Sequence, residues 1–165
     1  MNNNGFTLIE IMVVIVIIGI ILGFATLSIG DGNLSQKLKQ ETQRLAYLLE
    51  LASQESIIQS KEIGVHFDTD GYRFCELQDE ITTCTKCRTI TDGVFKPRIL
   101  PVGIETKIYL DGEPMLSNKT CQNMLLILSS GEFIPFEVIF TANELTHRLT
   151  GNMIGEISIL TDESP

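Results

Sequence analysis

The sequence predicts an α+β fold in which a long N-terminal helix is followed by a mostly antiparallel β domain. Three observations lead to this prediction. An apolar run fills most of the first thirty residues, leucines at three- and four-residue spacing follow it, and the remaining chain consists of short β-like runs separated by Gly, Pro, Asn and Asp. Helices that precede the strands, rather than alternate with them, indicate a helix packed on one side of an antiparallel sheet.

The first element is an apolar segment that contains no charged or polar residue from Ile11 to Ala25. Extended to Phe6 and Ile29, the segment has 24 residues. A helix of that length measures roughly 36 Å, whereas the hydrocarbon layer of a bilayer is about 30 Å thick. A secretory signal would end in a small-residue cleavage site after the apolar stretch, and no convincing site follows here. We therefore expect a transmembrane helix over 6–30.

Glu10 is the one ionisable residue near the N-terminal end of this apolar segment. An ionisable side chain within a membrane span costs a few kcal/mol, so it marks a candidate functional site. The alternative is that Glu10, being near the helix end, extends its carboxylate toward the lipid headgroups. Taken alone, this residue does not distinguish the two interpretations.

The residues around it add a resemblance. Gly5-Phe6-Thr7-Leu8-Ile9-Glu10, with the apolar helix behind it, resembles the processing site of type IV prepilins and pseudopilins. The resemblance implies that a membrane-embedded peptidase cuts between Gly5 and Phe6, so that 1–5 is a cleaved leader. It also implies that Phe6 is N-methylated and that Glu10 directs assembly. Glu10 lies one helical turn from Phe6, and it could pair with the Phe6 amine of a neighbouring subunit and set the axial register.

A second helix follows the apolar segment. Asp31-Gly32-Asn33 interrupts the pattern, and we expect Asn33 to cap the new helix. Apolar residues then recur at three- and four-residue spacing up to about Lys61, which predicts an amphipathic helix with one face to bury. That face consists of Leu34, Leu38, Leu45, Leu48, Leu49 and Ala52. We assign 31–62 to this helix, which continues into the globular domain, and 63–165 to the β-rich domain.

The β-rich domain begins with a predicted hairpin. Gly64–Phe67 and Tyr72–Glu76 flank Asp68-Thr69-Asp70-Gly71, a combination typical of a tight turn. The same four residues resemble a fragment of a calcium loop, but the remaining ligands are absent, so we favour the turn. Further strands are expected at Lys107–Leu110, Met124–Leu128, Phe136–Phe140 and Glu156–Leu160.

Four cysteines, Cys75, Cys84, Cys87 and Cys121, all follow the apolar segment. If that part of the chain faces an oxidising compartment, disulfides are the favoured interpretation. A zinc site and free thiols are the alternatives, although there is no second CxxC and no βαβ pattern around the one present. We expect at least one intramolecular disulfide, and the three possible pairings stay open.

The composition excludes several classes of function. The chain of 165 residues has a formal net charge of −9, and such an acidic balance argues against a nucleic-acid partner, because phosphate binding requires a basic surface. No nucleophile, base and orienting residue can be recognised together, and Ser129-Ser130-Gly131 lacks the Gly-x-Ser-x-Gly arrangement of an esterase. We expect a protein that is not an enzyme, with no catalytic residue, cofactor or resident metal.

Three later blocks narrow the family. Phe95–Pro101, Leu128–Phe136 and Gly151–Ile157 resemble, in order and spacing, the H-type minor pseudopilins of type II secretion systems (the GspH family). The resemblance implies a pilin-like fold with two antiparallel sheets, a single-pass anchor in the bacterial inner membrane and a periplasmic domain. It places the chain near the tip of a pseudopilus that drives folded proteins through the outer-membrane secretin. The implied partners are major and minor pseudopilins, the prepilin peptidase, the inner-membrane assembly platform, the secretin and the exported proteins.

A minor pilin of a type IV pilus, of the FimT/FimU group, is the alternative family. It shares the N-terminal motif and a related domain, and some members bind DNA during uptake. A DNA-binding member would be expected to carry a basic C-terminal segment, whereas Glu156–Pro165 is acidic.

Overall fold

The computed structural model describes residues 8–27, 31–77, 87–91, 93–115 and 124–162. Two helices come first, α1 (Leu8–Leu27) and α2 (Asp31–Gln59). A short 3₁₀ turn lies at Gly93–Phe95. The strands are β1 (Ile63–Asp68), β2 (Gly71–Leu77), β3 (Cys87–Thr89), β4 (Arg98–Ile99), β5 (Glu105–Leu110), β6 (Glu113–Pro114), β7 (Met124–Ile127), β8 (Phe136–Ala142), β9 (Leu145–Gly151) and β10 (Ile157–Asp162).

The strands form two antiparallel sheets. The first sheet has the order β3-β2-β1-β7, and β4 pairs with the start of β2. The second sheet has the order β10-β9-β8-β5-β6. Helix α2 packs against strands of both sheets. The predicted fold class, a long N-terminal helix on an antiparallel β domain of two sheets, is confirmed.

The predicted hairpin is present as β1 and β2, with Asp68 opposite Gly71 across the turn. Gly71 is required there because a Cβ at this position would collide with the backbone carbonyl of Arg98 in β4. The other predicted strands are found with ends shifted by no more than two residues. Strands β3, β4, β6 and β9 were not predicted.

Helix α2 differs from the prediction at both ends. It begins at Asp31, so the expectation that Asn33 caps it is wrong. It ends at Gln59 because Ser60 has a left-handed φ of 52°, a common way for a helix to stop.

Helix α1 has 20 residues and lies within the segment 6–30 that was assigned as a membrane span. Among the residues that the structure describes, no helix is long and apolar enough to cross a membrane.

The core forms where α2 meets the two sheets. Leu38, Leu45 and Leu49 are fully buried on the helix, and the predicted apolar face is confirmed, with Leu34 packed at its edge. Buried partners come from both sheets: Val65, Phe74, Leu125 and Ile127 from the first, and Val138, Phe140 and Leu149 from the second. Burial of one amphipathic face is what stabilises a helix of this kind.

Tyr72 makes a polar exception at the edge of this core. Its side chain is 2% exposed, and it lies near Glu41, which pairs with Arg44 at 2.5 Å. Among the described residues, neither the Tyr72 hydroxyl nor Glu41 Oε2 has a hydrogen-bond partner. Burial, reinforced by the negative charge of Glu41, raises the pKa of Tyr72 to about 12.

The raised pKa predicts a loss of stability in alkali. A tyrosine in an unfolded chain ionises near pH 10, so between about pH 10 and 12 the unfolded state releases this proton while the folded state retains it. The free energy of unfolding should fall across that window by up to about 3 kcal/mol. Tyr72→Phe should remove the fall, and at pH 7 it should be no less stable, because it removes a buried hydroxyl without a partner.

Chemical denaturation from pH 7 to pH 11.5 measures both effects. Tyr47→Phe is the matched control. Tyr47 lies on α2 and is 63% exposed, so this variant should keep the wild-type pH profile. A Tyr72→Phe protein that weakens above pH 10 as steeply as Tyr47→Phe would contradict the assignment.

Candidate assembly site

The predicted assembly residue Glu10 lies in the first turn of α1. It is exposed, and it is the one charged residue in the sequence of that helix. A carboxylate in a first turn is favoured by the partial positive charge of the helix N-terminus. Gly5 and Phe6, the predicted processing residues, lie outside the described residues, so the structure does not show how they sit relative to Glu10.

The surface of α1 around Glu10 is apolar. Every side chain from Leu8 to Ile20 is exposed, with Leu8 at 79% and Ile15 at 63%. A helix that is apolar on all sides requires apolar surroundings, either a bilayer or other helices. In such surroundings a lone carboxylate is costly and an opposite charge at hydrogen-bonding distance is favoured. The start of α1 can therefore act as a binding site for a cationic group.

A disulfide joins Cys75 to Cys87. Cys75 lies in β2 and Cys87 begins β3, and the register of these strands places Cys87 opposite Leu77. The two Cα atoms are 5.5 Å apart, which is within the normal range for a disulfide. The expected disulfide is thus present, and it pairs one cysteine of the CxxC with a residue on the neighbouring strand.

The other candidate ligands are not gathered into a site. Cys84 and Cys121 lie outside the described residues, so their pairing stays a prediction. His66 is half-buried in β1 of the first sheet, with Nδ1 3.7 Å from Asp68 Oδ1, and His147 is buried in β9 of the second. Within the described ranges, no three His, Cys, Asp or Glu side chains are grouped so that they could hold a metal ion.

The β domain also exposes apolar side chains that the sequence analysis did not single out. Ile57 and Ile58 at the end of α2 are 53% and 76% exposed, and Met153 and Ile154 between β9 and β10 are 66% and 76% exposed. A signal was available for the second pair. Two adjacent apolar residues inside the turn-forming stretch Gly151–Gly155 have no strand in which to be buried.

The sequence is similar to a known motif family and to a known protein. Residues 1–26 match the family described as the prokaryotic N-terminal methylation motif. The type II secretion system protein H of Pseudomonas aeruginosa is 35% identical over 146 residues, which cover 82% of this chain and 81% of that protein.

Two solved structures share the fold. The minor pseudopilin EpsH from the type II secretion system of Vibrio cholerae has a TM-score of 0.60 at 23% identity, covering 76% of this chain and 97% of that one. The solution structure of Escherichia coli GspH has a TM-score of 0.61 at 15% identity, covering 83% of this chain and 99% of that one. Both matches concern the arrangement of helix and sheets.

The disulfide leads to a stability prediction. Cys75 and Cys87 are separated by 12 positions, and closing a loop of about that length is worth about 3 kcal/mol in the chain-entropy account. The double substitution Cys75→Ser/Cys87→Ser should lower the free energy of unfolding by about that amount. Denaturant titration of the non-reduced proteins measures the difference.

Cys84→Ser alone is the control, because it leaves the Cys75–Cys87 bond intact and should keep a peptide pair linked by this bond in a non-reducing digest. Alkylation of all four cysteines in natively purified, non-reduced protein would show that the bond does not form.

Proposed function

The chain belongs to the H-type minor pseudopilins of type II secretion systems, and from this premise we propose that it is cleaved, methylated and built into the pseudopilus as a structural subunit near the tip. The observation that carries the proposal is Glu10, the one carboxylate on the exposed apolar helix α1. An ionisable group in this helix makes membrane insertion less favourable, so membrane anchoring alone does not account for Glu10.

Processing is proposed to occur between Gly5 and Phe6. The match of residues 1–26 to the N-terminal methylation motif supports this site. Glycine before the cut presents no Cβ to a peptidase working at the bilayer face. Cleavage removes the leader 1–5 and creates a cationic amine at Phe6, and methylation leaves that amine cationic.

The segment 6–30 is proposed to anchor the protein in the inner membrane before assembly, with residues 31–62 and 63–165 in the periplasm. The uninterrupted apolar sequence from Ile11 to Ala25 supports the anchor. The Cys75–Cys87 disulfide supports the placement of the domain, because disulfides persist in oxidising compartments such as the periplasm.

Assembly is proposed to depend on a pair between Glu10 and the Phe6 amine of a neighbouring pseudopilin. Each charge alone is unfavourable among apolar helices, whereas the pair is tolerated. Because a single carboxylate is available on α1, it fixes how far the incoming helix is displaced along the filament. The prepilin peptidase and the inner-membrane assembly platform act on the chain before this step.

The resulting filament is proposed to drive folded proteins through the outer-membrane secretin. In this role the chain is a structural component and performs no chemistry itself. The secretin and the exported proteins are further proposed partners. A minor pilin of a type IV pilus would share the N-terminal motif, but membership of the secretion family favours the pseudopilus.

Processing can be tested directly. Gly5→Leu should leave an uncut precursor in the inner membrane, because the larger side chain obstructs the peptidase. Mass spectrometry of the membrane-extracted wild-type protein should show N-methylated Phe6 as the first residue, and Asn3→Ala should be processed like wild type. Intact Met1 in wild type, in cells that contain the peptidase, would refute the proposed cut.

The role of Glu10 is tested by its removal. Glu10→Ala should be inserted and cleaved normally, since loss of the carboxylate eases membrane insertion by up to about 3 kcal/mol. It should nevertheless enter the filament poorly, because the neighbouring Phe6 amine is left unpaired. Breaking a buried pair costs about 3–5 kcal/mol, so cross-linking to other pseudopilins in vivo should fall by roughly tenfold or more.

Two further variants separate charge from size. Glu10→Gln keeps the shape and removes the charge, so it should resemble Glu10→Ala. Glu10→Asp keeps the charge with one methylene less reach, so it should be intermediate. If all three variants cross-link and secrete as well as wild type at equal expression, Glu10 is a residue that merely contacts the headgroups.

A further inference from the structure

We propose that a cavity between the start of α2 and strands β9 and β10 binds the phosphate group of a membrane lipid. The cavity, here called the α2–β10 pocket, has a volume of about 290 Å³ and is lined by Ser35, Lys39, Gln43, His147, Ile159 and Thr161. This assignment rests on the proposed function, because it assumes that the segment 6–30 anchors the chain in the inner membrane. It adds a lipid contact that holds the start of α2 at the bilayer surface.

The pocket is built from two elements that the fold packs together. Ser35, Lys39 and Gln43 are spaced four residues apart on α2, so they lie along one side of the helix. His147 in β9 is directly opposite Thr161 in β10, which places the two side chains on the same face of the second sheet. Helix α2 packs against both strands. The helix therefore forms one wall of the pocket and the sheet forms the other.

The polar groups that line the pocket are suited to a phosphate. Lys39 supplies an ammonium group, which binds phosphate as a point charge. The hydroxyls of Ser35 and Thr161 and the side-chain amide of Gln43 can donate hydrogen bonds to phosphate oxygens. His147 is 7% exposed, so it closes the inner end of the pocket. A water molecule takes up about 30 Å³ in the liquid, and the pocket therefore has room for a phosphate group with some of its water.

The lining of this pocket differs in charge from the rest of the domain. None of the described residues that line it is acidic, although the chain has 21 Asp and Glu residues against 12 Lys and Arg. Two other cavities each contain two carboxylates, Asp68 and Glu105 in one and Glu55 and Glu76 in the other. A carboxylate repels a phosphate. Of these three cavities, the α2–β10 pocket is thus the one suited to an anion.

The position of the pocket in the chain identifies a lipid as the source of the phosphate. Helix α2 begins at Asp31, directly after the proposed anchor, and Ser35 lies roughly 6 Å further along the helix axis. The headgroup layer extends about 5–8 Å beyond the hydrocarbon on each side of a bilayer. The pocket therefore begins at the level of the headgroups, and the flexible stem of Lys39 extends its reach. Exposed Lys37 adds a second cation close to this surface.

A carboxylate of a neighbouring protein is the other anion that these donors would accept. Such a group would have to compete at the membrane surface with lipid phosphates, which are present there in large excess. Occupancy at equal affinity follows concentration. We therefore commit to the phosphate of a phospholipid headgroup.

The two histidines of the chain provide a direct test. The protein is purified from membranes in an uncharged maltoside detergent with its histidines isotopically labelled, and the ring C–H signals are recorded by NMR at constant pH. Titration with dihexanoyl phosphatidylglycerol should shift the His147 signal until it saturates. The His66 signal should not move, because His66 lies in the first sheet, and His66→Gln assigns the two signals. Inorganic phosphate, the second probe, should shift the His147 signal in the same direction.

Two lysine variants separate binding in the pocket from general attraction to lipid. Lys39→Gln should weaken the apparent affinity for dihexanoyl phosphatidylglycerol roughly tenfold, as expected for the loss of one charge-assisted hydrogen bond. Lys37→Gln is the matched control, because Lys37 is exposed on the same helix but does not line the pocket. It undergoes the same change of charge and should bind like wild type. An unchanged His66 signal shows that each variant is folded.

The results distinguish failure of the pocket from failure of the proposed function. No shift of the His147 signal with either probe, or an equal loss of affinity in both lysine variants, would overturn the pocket. A shift with inorganic phosphate but not with the lipid would overturn the membrane source. In each case the proposed anchor stands if the wild-type protein stays in the membrane fraction after alkaline carbonate extraction. Release of the protein by carbonate would mean that the anchor itself is wrong.

Discussion

Helix α2 buries one face against two sheets, and the positions of the functional surfaces follow from that packing. Leu38, Leu45 and Leu49 are fully buried on it, and it contacts β1 and β7 of the first sheet and β8, β9 and β10 of the second. A helix with low intrinsic stability in water is held in this way over its length. Because the same rigid element begins next to α1 and ends at the β9–β10 turn, it separates the two ends of the domain by a fixed distance.

The parts of the fold that the sequence predicted are those in which one periodicity dominates. The three- and four-residue spacing of leucines gave the buried face of α2, and the Asp68–Gly71 turn between two apolar runs gave the first hairpin. Strand β9 (Leu145–Gly151) was missed because its inward positions are His147, Leu149 and Gly151. A buried histidine and a glycine do not produce the alternation of apolar and polar residues by which a strand is recognised.

The candidate site was predictable to the extent that it is local. Glu10 and its apolar helix are contiguous in the chain, so a motif could identify them. The partner of Cys87 depends on the register in which β2 pairs with β3. That register cannot be deduced from the number and spacing of the cysteines. The contact between Ile57 and Gly131 is less local still, because it joins the end of α2 to a turn that follows β7.

The proposed pair between Glu10 and a Phe6 amine depends on the surroundings in which it forms. The pair between Glu10 and a Phe6 amine would lie among apolar helices, where salt screens it little. In this proposal the helix contact therefore sets the position of each subunit.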